Sequence, residues 1–174
     1  MAAITSESEA APAHKPLQAL MMVPVVLAII VTFIALNAVV GSAEVYAGFF
    51  FVLYWLGIQG GAFKDLPAAV AGSFLGLALA FGMHMLVARY GATNGALAFV
   101  GLFVPVLFCQ LAGYLPLLIN NATMLMLTAA TISHVQAAAK FPAMFISLGL
   151  AVLFFGGLMA LVEVLKTRAA RRQA

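Results

Sequence analysis

Apolar residues fill most of the chain in long runs, and short polar breaks separate these runs. A helix that crosses the hydrocarbon core of a bilayer needs about 20 mostly apolar residues. Six runs approach or exceed that length: 17–41, 43–61, 66–89, 94–118, 121–138 and 142–166. Because the breaks are short, consecutive helices are expected to run antiparallel. The pattern therefore predicts an all-α polytopic membrane protein with six transmembrane helices.

Two of the runs are less regular than the others. Run four contains Pro105 and Pro116, and a proline inside a helix removes a backbone hydrogen bond and bends or ends the helix. Run five, which begins "NATMLMLTAATISHVQ", is the most polar of the six. We expect run four to be kinked or split, and run five to be half-buried or partly unwound.

Two polar junctions share one order of residues. The stretch "QGGAFKDLPAAVAGSFLG" (59–76) joins runs two and three, and "QAAAKFPAMFISLGL" (136–150) joins runs five and six. Both show Gln, small residues, Lys, Pro, Ser, Leu and Gly in that order, with Ser73 aligned to Ser147. The chain is thus predicted to hold two three-helix repeats, the second inverted because each has an odd number of spans. Chance recurrence of Gly, Ala, Leu and Phe in a low-complexity chain is the alternative.

Composition supports the membrane assignment and excludes several other classes. Hydrophobic residues make up 66% of the chain and charged residues 7%, whereas a soluble domain carries about 25% charged residues. The lipid bilayer is therefore the expected partner. The net charge of +3 comes mostly from a short tail, which argues against nucleic-acid binding. The single cysteine, Cys109, supports neither a disulfide framework nor a cysteine metal site, and we interpret it as a small buried hydrophobic residue.

The ends of the chain and its charges predict a topology. Residues 1–16 are expected to form a disordered cytoplasmic tail, 17–166 the six-helix domain and 167–174 a basic cytoplasmic tail. The first apolar run is too long for the core of a signal peptide, so it is expected to remain as a helix. With both termini cytoplasmic, the inside residues would be Lys15, Lys64, Lys166, Arg168, Arg171 and Arg172. Only Arg89 and Lys140 would lie outside, which favours this orientation.

One segment resembles a known family. The stretch "YAGFFFVLYWLGIQGGAFKDL" (46–66) is similar to small bacterial inner-membrane proteins grouped as domain of unknown function 1097, and the late "SLGLAVLFFG" resembles their final helix. The resemblance covers roughly 46–165 and implies a multi-span protein of the bacterial inner membrane. The chain departs from the family at Ile58, where a proline is common. It also has Gln136-Ala137-Ala138 in place of a Gln-Gly-acidic motif.

The first candidate site is the end of run two. Gln59 is a polar residue within membrane-length segments, and such residues normally face protein or a water-filled path. Gly60 and Gly61 allow left-handed backbone conformations, so the helix can end with backbone groups turned towards a ligand. Tyr54 belongs to an aromatic cluster that could line a narrow constriction, although contact with lipid or another subunit is the more frequent explanation for such a cluster. The alternative is an ordinary helix C-terminus with glycine beyond it.

The second candidate site lies in run five. Thr131, His134 and Gln136 are predicted to line the same pathway from the other repeat. A single histidine in a span is more often hydrogen-bonded across helices, which is the alternative for His134. Because imidazole titrates near neutral pH, His134 is also the candidate for a pH-sensitive gate.

Other residues are assigned structural roles. Gly72 and Gly76, with Gly149 aligned to Gly76, are predicted helix-packing positions, since small residues four apart let helix backbones approach closely. Glu44 is interpreted as an anion at the level of the lipid headgroups, and Asn120 as part of a turn. Lys64 and Lys140 are interpreted as interfacial charges or, alternatively, as markers of two pathway mouths.

These features predict a membrane channel or facilitator for a small, neutral, polar solute. The spans hold amides and hydroxyls but no carboxylate pair for acid–base catalysis, so we expect neither an enzyme nor an ion-coupled pump. We expect no cofactor and no metal, because P-loop and H-E-x-x-H motifs are missing from the sequence. Six short helices enclose only a narrow passage, which favours a homo-oligomer. The alternative is a non-transporting subunit or scaffold that associates with another membrane protein.

Overall fold

The computed structural model describes residues 16–131 and 140–173, and in this part of the chain the regular elements are all helices, joined by short turns and loops. Its elements are α1 (Pro16–Val39), α2 (Val45–Val52) continued by a π-helix (Leu53–Ile58), α3 (Leu66–Ala112), α4 (Asn121–Ala130) and α5 (Phe141–Gln173). The all-α prediction is therefore confirmed for the described residues. Residues 1–15, most of the predicted N-terminal tail, lie outside them.

The longest helix, α3, is broken at Gly91. This residue has φ 82° and ψ 167°, a conformation outside the helical region. A Cβ placed on Gly95 would collide with the backbone of Leu86 and Val87. In a straight helix, residues 87 and 95 would lie about 12 Å apart along the axis. The chain therefore turns back sharply, and α3 consists of a first arm (66–90) and a second arm (92–112).

Two described helices, α3 and α5, are long and apolar enough to cross a membrane. Only 11% and 22%, respectively, of their most apolar 18-residue windows is buried inside the protein. The core helix of a soluble protein would bury most of such a window. The exposed apolar surface of α3 and α5 is thus of the kind that lipid covers.

Several helix ends differ from the predicted boundaries. Run four extends to 118 in the sequence prediction, but α3 ends at Ala112 because Gly113 adopts φ 69° and caps it. Pro116 therefore lies outside the helix, whereas Pro105 lies within it. At the other end of the chain, α5 continues to Gln173, so the predicted basic tail forms its last turns.

The core is formed by two pairs of helices. Helix α2 packs on α5, and α4 packs mainly on α3. The largest fully buried apolar side chains are Trp55, Phe33, Phe51, Phe141, Leu77, Met126, Met144 and Leu148. Phe33 of α1 extends this core through edge-on contacts with Phe49 and Phe155. The interior of the described residues is therefore mostly aromatic and aliphatic.

Candidate functional site

The Gln59 side chain is positioned by the π-helix that ends run two. A π-helix bonds residues five apart, and the Gln59 amide donates to the Tyr54 carbonyl at 3.1 Å. Residues 54 and 59 therefore lie above one another, as they would not in an α-helix. This allows Gln59 Nε2 to donate to Tyr54 Oη at 3.2 Å. The π-helix was not predicted, since nothing in the apolar run distinguishes it from an α-helix.

The turn after Gln59 folds back onto the aromatic end of α2. Gly60 and Gly61 have φ 64° and 70°, so both take the left-handed conformation that glycine adopts readily. The Gly61 amide donates to the Trp55 carbonyl at 2.8 Å. The Trp55 indole in turn donates to the Ala62 carbonyl at 3.1 Å. These two bonds fix the turn and hold Gln59 beside Tyr54.

The Gln59 amide presents an oxygen acceptor. Its nitrogen is engaged by Tyr54 Oη, while its Oε1 is buried and has no hydrogen-bond partner among the described residues. An unsatisfied buried acceptor costs about 1–3 kcal/mol unless another molecule satisfies it. The geometry therefore suits a ligand that donates a hydrogen bond to Gln59.

The other predicted pathway residues do not all join this site. Thr131 lines a groove of about 300 Å³ between α4 and both arms of α3, with Thr128 as the second hydroxyl. Neither Tyr54 nor Gln59 contributes to the wall of that groove. His134 and Gln136 lie outside the described residues. The structure thus brings together Tyr54 and Gln59, with the glycine turn, and places Thr131 on a separate apolar groove.

The predicted packing glycines behave differently from one another. A Cβ on Gly76 would collide with the Thr123 carbonyl oxygen, and one on Gly72 would collide with the Asn120 side chain. Both glycines therefore allow α3 to approach α4 closely. A Cβ on Gly149 would have no atom of another helix within 4 Å. In the second pair of helices, Gly48 takes this role against α5.

A polar cluster, which we call the Asn37 junction, lies where α1, α2 and α5 meet. It comprises Asn37, Ser42, Glu44 and Ser147, all of which are buried. Ser42 Oγ donates to the carbonyl of Ala143 on α5 at 2.8 Å. These residues were not predicted to form a group, because 110 residues separate the first from the last.

The environment of Glu44 is not that of an anion at the level of the lipid headgroups, as the sequence had suggested. Its residue is only 9% exposed, and its Oε1 lies 3.7 Å from Lys140 Nζ. Lys140, interpreted as an interfacial charge or a pathway marker, is thus an ion-pair partner at the rim of the Asn37 junction. A buried carboxylate normally needs such a partner, and the sequence alone could not show which lysine would supply it.

A second cluster, which we call the Asn120 junction, caps α4 and ties it to α3. Asn120 Oδ1 accepts from the Ala122 amide at 2.9 Å, and Thr123 Oγ1 accepts from the Asn120 amide at 3.2 Å, which forms a capping box. Asn120 Nδ2 donates to the Ala68 carbonyl on α3 at 2.9 Å. Asn120 is therefore an interhelical tie as well as the turn residue that the sequence suggested.

The chemistry available to these sites is hydrogen bonding. Between residues 16 and 131 and between 140 and 173, no three His, Cys, Asp or Glu side chains come together as metal ligands. The groups that face the candidate sites are amides, hydroxyls and one paired carboxylate. Such groups bind and orient small polar molecules and need no cofactor to do so.

The chain matches no protein-family model, no curated protein and no solved structure. The resemblance to domain of unknown function 1097 thus stays a prediction based on the segment 46–66.

Proposed function

We propose that the chain is a multi-pass membrane protein, built from two inverted three-helix repeats, that conducts a small neutral polar solute. The observation that carries the conduction proposal is the buried Gln59 amide oxygen, which has no partner within the described chain. The bacterial inner membrane and cytoplasmic termini are part of the same proposal, on the strength of the family resemblance and the charge distribution.

A matched pair of hydrogen bonds supports the inverted repeats. Ala68 and Ala143 each follow the aligned proline in the first turn of a helix. The Ala143 carbonyl accepts from Ser42, in the loop between α1 and α2. The Ala68 carbonyl accepts from Asn120, between the second arm of α3 and α4. In a three-plus-three arrangement these two bonds are equivalent, since each joins the first loop of one repeat to the third helix of the other.

The packing of the helices follows the same relation. Gly48 on α2 lies against Ser147 and Ala151 of α5. Gly76 on the first arm of α3 lies against residues 123–127 of α4. In each case the second helix of one repeat packs on the third helix of the other. This exchange is expected for two copies related by a pseudo-twofold axis in the membrane plane.

Helix lengths and exposure support several crossings. Each arm of α3 has about the 20 residues that a span requires. Large apolar side chains on α1 and on the second arm of α3 are exposed, among them Val23, Leu27, Val31, Leu97, Val104 and Phe108. A soluble monomer rarely exposes apolar surface on this scale. In the proposal, lipid and a second copy of the chain cover it.

The properties of the solute follow from the groups that face it. Gln59 Nε2 donates one of its two hydrogens to Tyr54 Oη and its Oε1 is unpaired, so a neutral molecule that donates a hydrogen bond to this oxygen is favoured over an anion. No net charge at this turn compensates a cation, since Lys64 and Asp65 follow each other in the loop. Phe51 and Trp55 fill the neighbouring interior. The passage is therefore narrow, and these aromatic side chains would have to move during conduction.

Stopped-flow flux into proteoliposomes tests the proposal with urea, glycerol and ammonia as solutes. Gln59→Leu is expected to lower flux about 2- to 10-fold, the equivalent of one lost hydrogen bond of about 0.5–1.5 kcal/mol. Gln110→Leu makes the same change at a second amide, whose Nε2 also donates to one side chain, Asn121, and whose Oε1 also lacks a partner in the described part. Flux close to that of the wild type is expected for it, and an equal loss in the two variants would show that the effect is not specific to Gln59. Flux no greater than that of empty vesicles, in a well-folded sample, would refute conduction.

The second candidate function is a non-transporting subunit that binds another membrane protein. The exposed apolar face of the second arm of α3, with Leu97, Val100, Val104, Phe108 and Leu111, is the observation that favours it. Stable co-purification of a different polypeptide from membranes, lost when Val104 and Phe108 are replaced by alanine, would support this function. If the wild type and the variant both purified only as homo-oligomers, with no other polypeptide, this would argue against the second function.

A further inference from the structure

We infer that the Asn37 junction binds one small molecule that donates hydrogen bonds, held between Asn37 and Ser147. The inference concerns binding at a site other than Gln59 and does not depend on conduction. It rests on two fully buried polar side chains whose free atoms nothing else in the described chain satisfies. The candidate molecules are water, ammonia and urea-like amides, which share this chemistry.

The side-chain oxygen of Asn37 is a free acceptor, and the hydrogen bond of the side-chain nitrogen determines its orientation. Its Nδ2 donates to the Phe33 carbonyl one turn earlier at 2.9 Å. Turning the amide over would place its oxygen against the Phe33 oxygen, so the orientation is fixed by the hydrogen bond. The remaining atom, Oδ1, is buried without a partner in residues 16–131 or 140–173. Only a donor can satisfy it.

Ser147 is left free because its usual acceptor is taken. A serine inside a helix commonly donates to the carbonyl four residues earlier, which here is Ala143. That carbonyl already accepts from Ser42 Oγ at 2.8 Å in addition to its helical hydrogen bond. A carbonyl oxygen has two lone pairs, so none remains for Ser147. The Ser147 hydroxyl is consequently buried and unpartnered within the described structure.

Ser42 ties together the two chain segments that carry the free atoms. Its amide donates to the Asn37 carbonyl at 2.9 Å, and its hydroxyl donates to Ala143, one turn before Ser147. The junction is sealed from solvent, since both Asn37 and Ser147 are 0% exposed. A buried polar site of this kind typically holds a molecule that makes two to four hydrogen bonds.

The charge at the rim limits the class of ligand further. Glu44 is paired with Lys140, so it offers no uncompensated charge for a cation. An anion would face the free oxygen of Asn37 and be repelled. A neutral molecule that donates to Asn37 Oδ1 and accepts from the Ser147 hydroxyl satisfies both groups.

A high-resolution structure of the full chain tests this directly, in buffer without solute and after exposure to selenourea. Density within hydrogen-bonding distance of both atoms in plain buffer would identify water. An anomalous selenium peak at this position in the wild type, absent from Asn37→Leu, would identify a site for urea-like solutes. If the peak appeared only at high selenourea concentration, it would indicate binding at crystal concentration only, and water would be the ligand. No density in either condition would overturn the inference.

Thermal stability in detergent provides the second measurement. If one molecule bridges both side chains, Ser147→Ala should lower the melting temperature by about 2–4 °C. The double variant with Asn37→Leu should then melt higher than the sum of the single shifts predicts, because both changes remove the same ligand. Ser73→Ala is the control at the aligned, equally buried serine. A Ser147→Ala protein that melts at or above the wild-type temperature would contradict the site.

Discussion

The Asn37 and Asn120 junctions occupy equivalent positions in the proposed repeats, yet they differ in how far their polar atoms are satisfied. At the Asn120 junction, both amide atoms of Asn120 are bonded, and Thr123 both donates and accepts. At the Asn37 junction, Asn37 Oδ1 and Ser147 Oγ have no partner in the described residues. The same interhelical tie to an alanine carbonyl is present in both.

This difference separates a structural role from a binding role. A fully satisfied buried network stabilises and rigidifies, whereas a partly satisfied one is costly unless a further molecule completes it. The Asn120 junction therefore serves to cap α4 and hold α3. The Asn37 junction keeps the tie through Ser42 but leaves two groups available.

The largest effect is expected from a substitution that blocks the close approach of α3 and α4 beside the Asn120 junction. Gly76→Ala would place a Cβ against the Thr123 carbonyl and the Leu127 amide, neither of which can move without shifting α4. We expect a loss of about 1–3 kcal/mol in the free energy of unfolding, measured by denaturant titration in detergent. Gly149→Ala, at the aligned residue with open space around it, should be neutral or stabilise by up to about 1 kcal/mol. Equal effects of the two changes would show that the α3–α4 contact is looser than described.

Removal of the Asn120 tie is expected to have the next largest effect. Asn120→Ala deletes the helix cap and the bond to the Ala68 carbonyl, so the free energy of unfolding should fall by about 1.5–2 kcal/mol. Asn120→Asp, which keeps the cap but loses the bond to Ala68, separates the two contributions. If Asn120→Ala cost no more than Asn37→Ala, the contrast between the junctions would be wrong.

The third test makes the Asn37 junction more like the Asn120 junction by giving Ser147 a hydrogen-bond acceptor within the protein. Ser42→Ala removes the bond to the Ala143 carbonyl and should cost about 1 kcal/mol of the free energy of unfolding. It also frees that carbonyl for Ser147, which can then donate to it as a helix serine normally does. Ser147→Ala should consequently have a different effect in the Ser42→Ala background than in the wild type. Strict additivity of the two changes would show that Ser42 does not control Ser147.

The sequence predicted those parts of the fold that depend on local pattern. The predicted break between runs three and four contains the reversal at Gly91, and the small residues at 72 and 76 lie at a close helix contact, because both signals are short-range. Gly149 was assigned by alignment with Gly76, yet the contact in the second pair of helices uses Gly48. The alignment with Gly76 therefore did not identify the residue that allows the close approach of α2 and α5.

The candidate sites were less predictable because they depend on distant residues. The Tyr54–Gln59 contact requires a π-helix, which reflects how α2 meets its neighbours and has no signature in an apolar run. The burial of Glu44 depends on Lys140, almost one hundred residues later. Glu44 could be recognised as polar from the sequence, but its partner could not.

The smallest expected effect is at the rim of the Asn37 junction. Lys140 is about half exposed, with 45% of its side chain accessible, so its pair with Glu44 is partly screened. Such pairs contribute about 0–1 kcal/mol, and Glu44→Gln should lower the free energy of unfolding by no more than that. The loss should shrink when salt is raised, because ions screen exposed charges over about 10 Å at 0.1 M. Denaturant titrations of Glu44→Gln and wild type at low and high salt measure both quantities. A loss well above 1 kcal/mol that persists at high salt would show that Glu44 is stabilised mainly by the buried groups around it and not by its pair with Lys140.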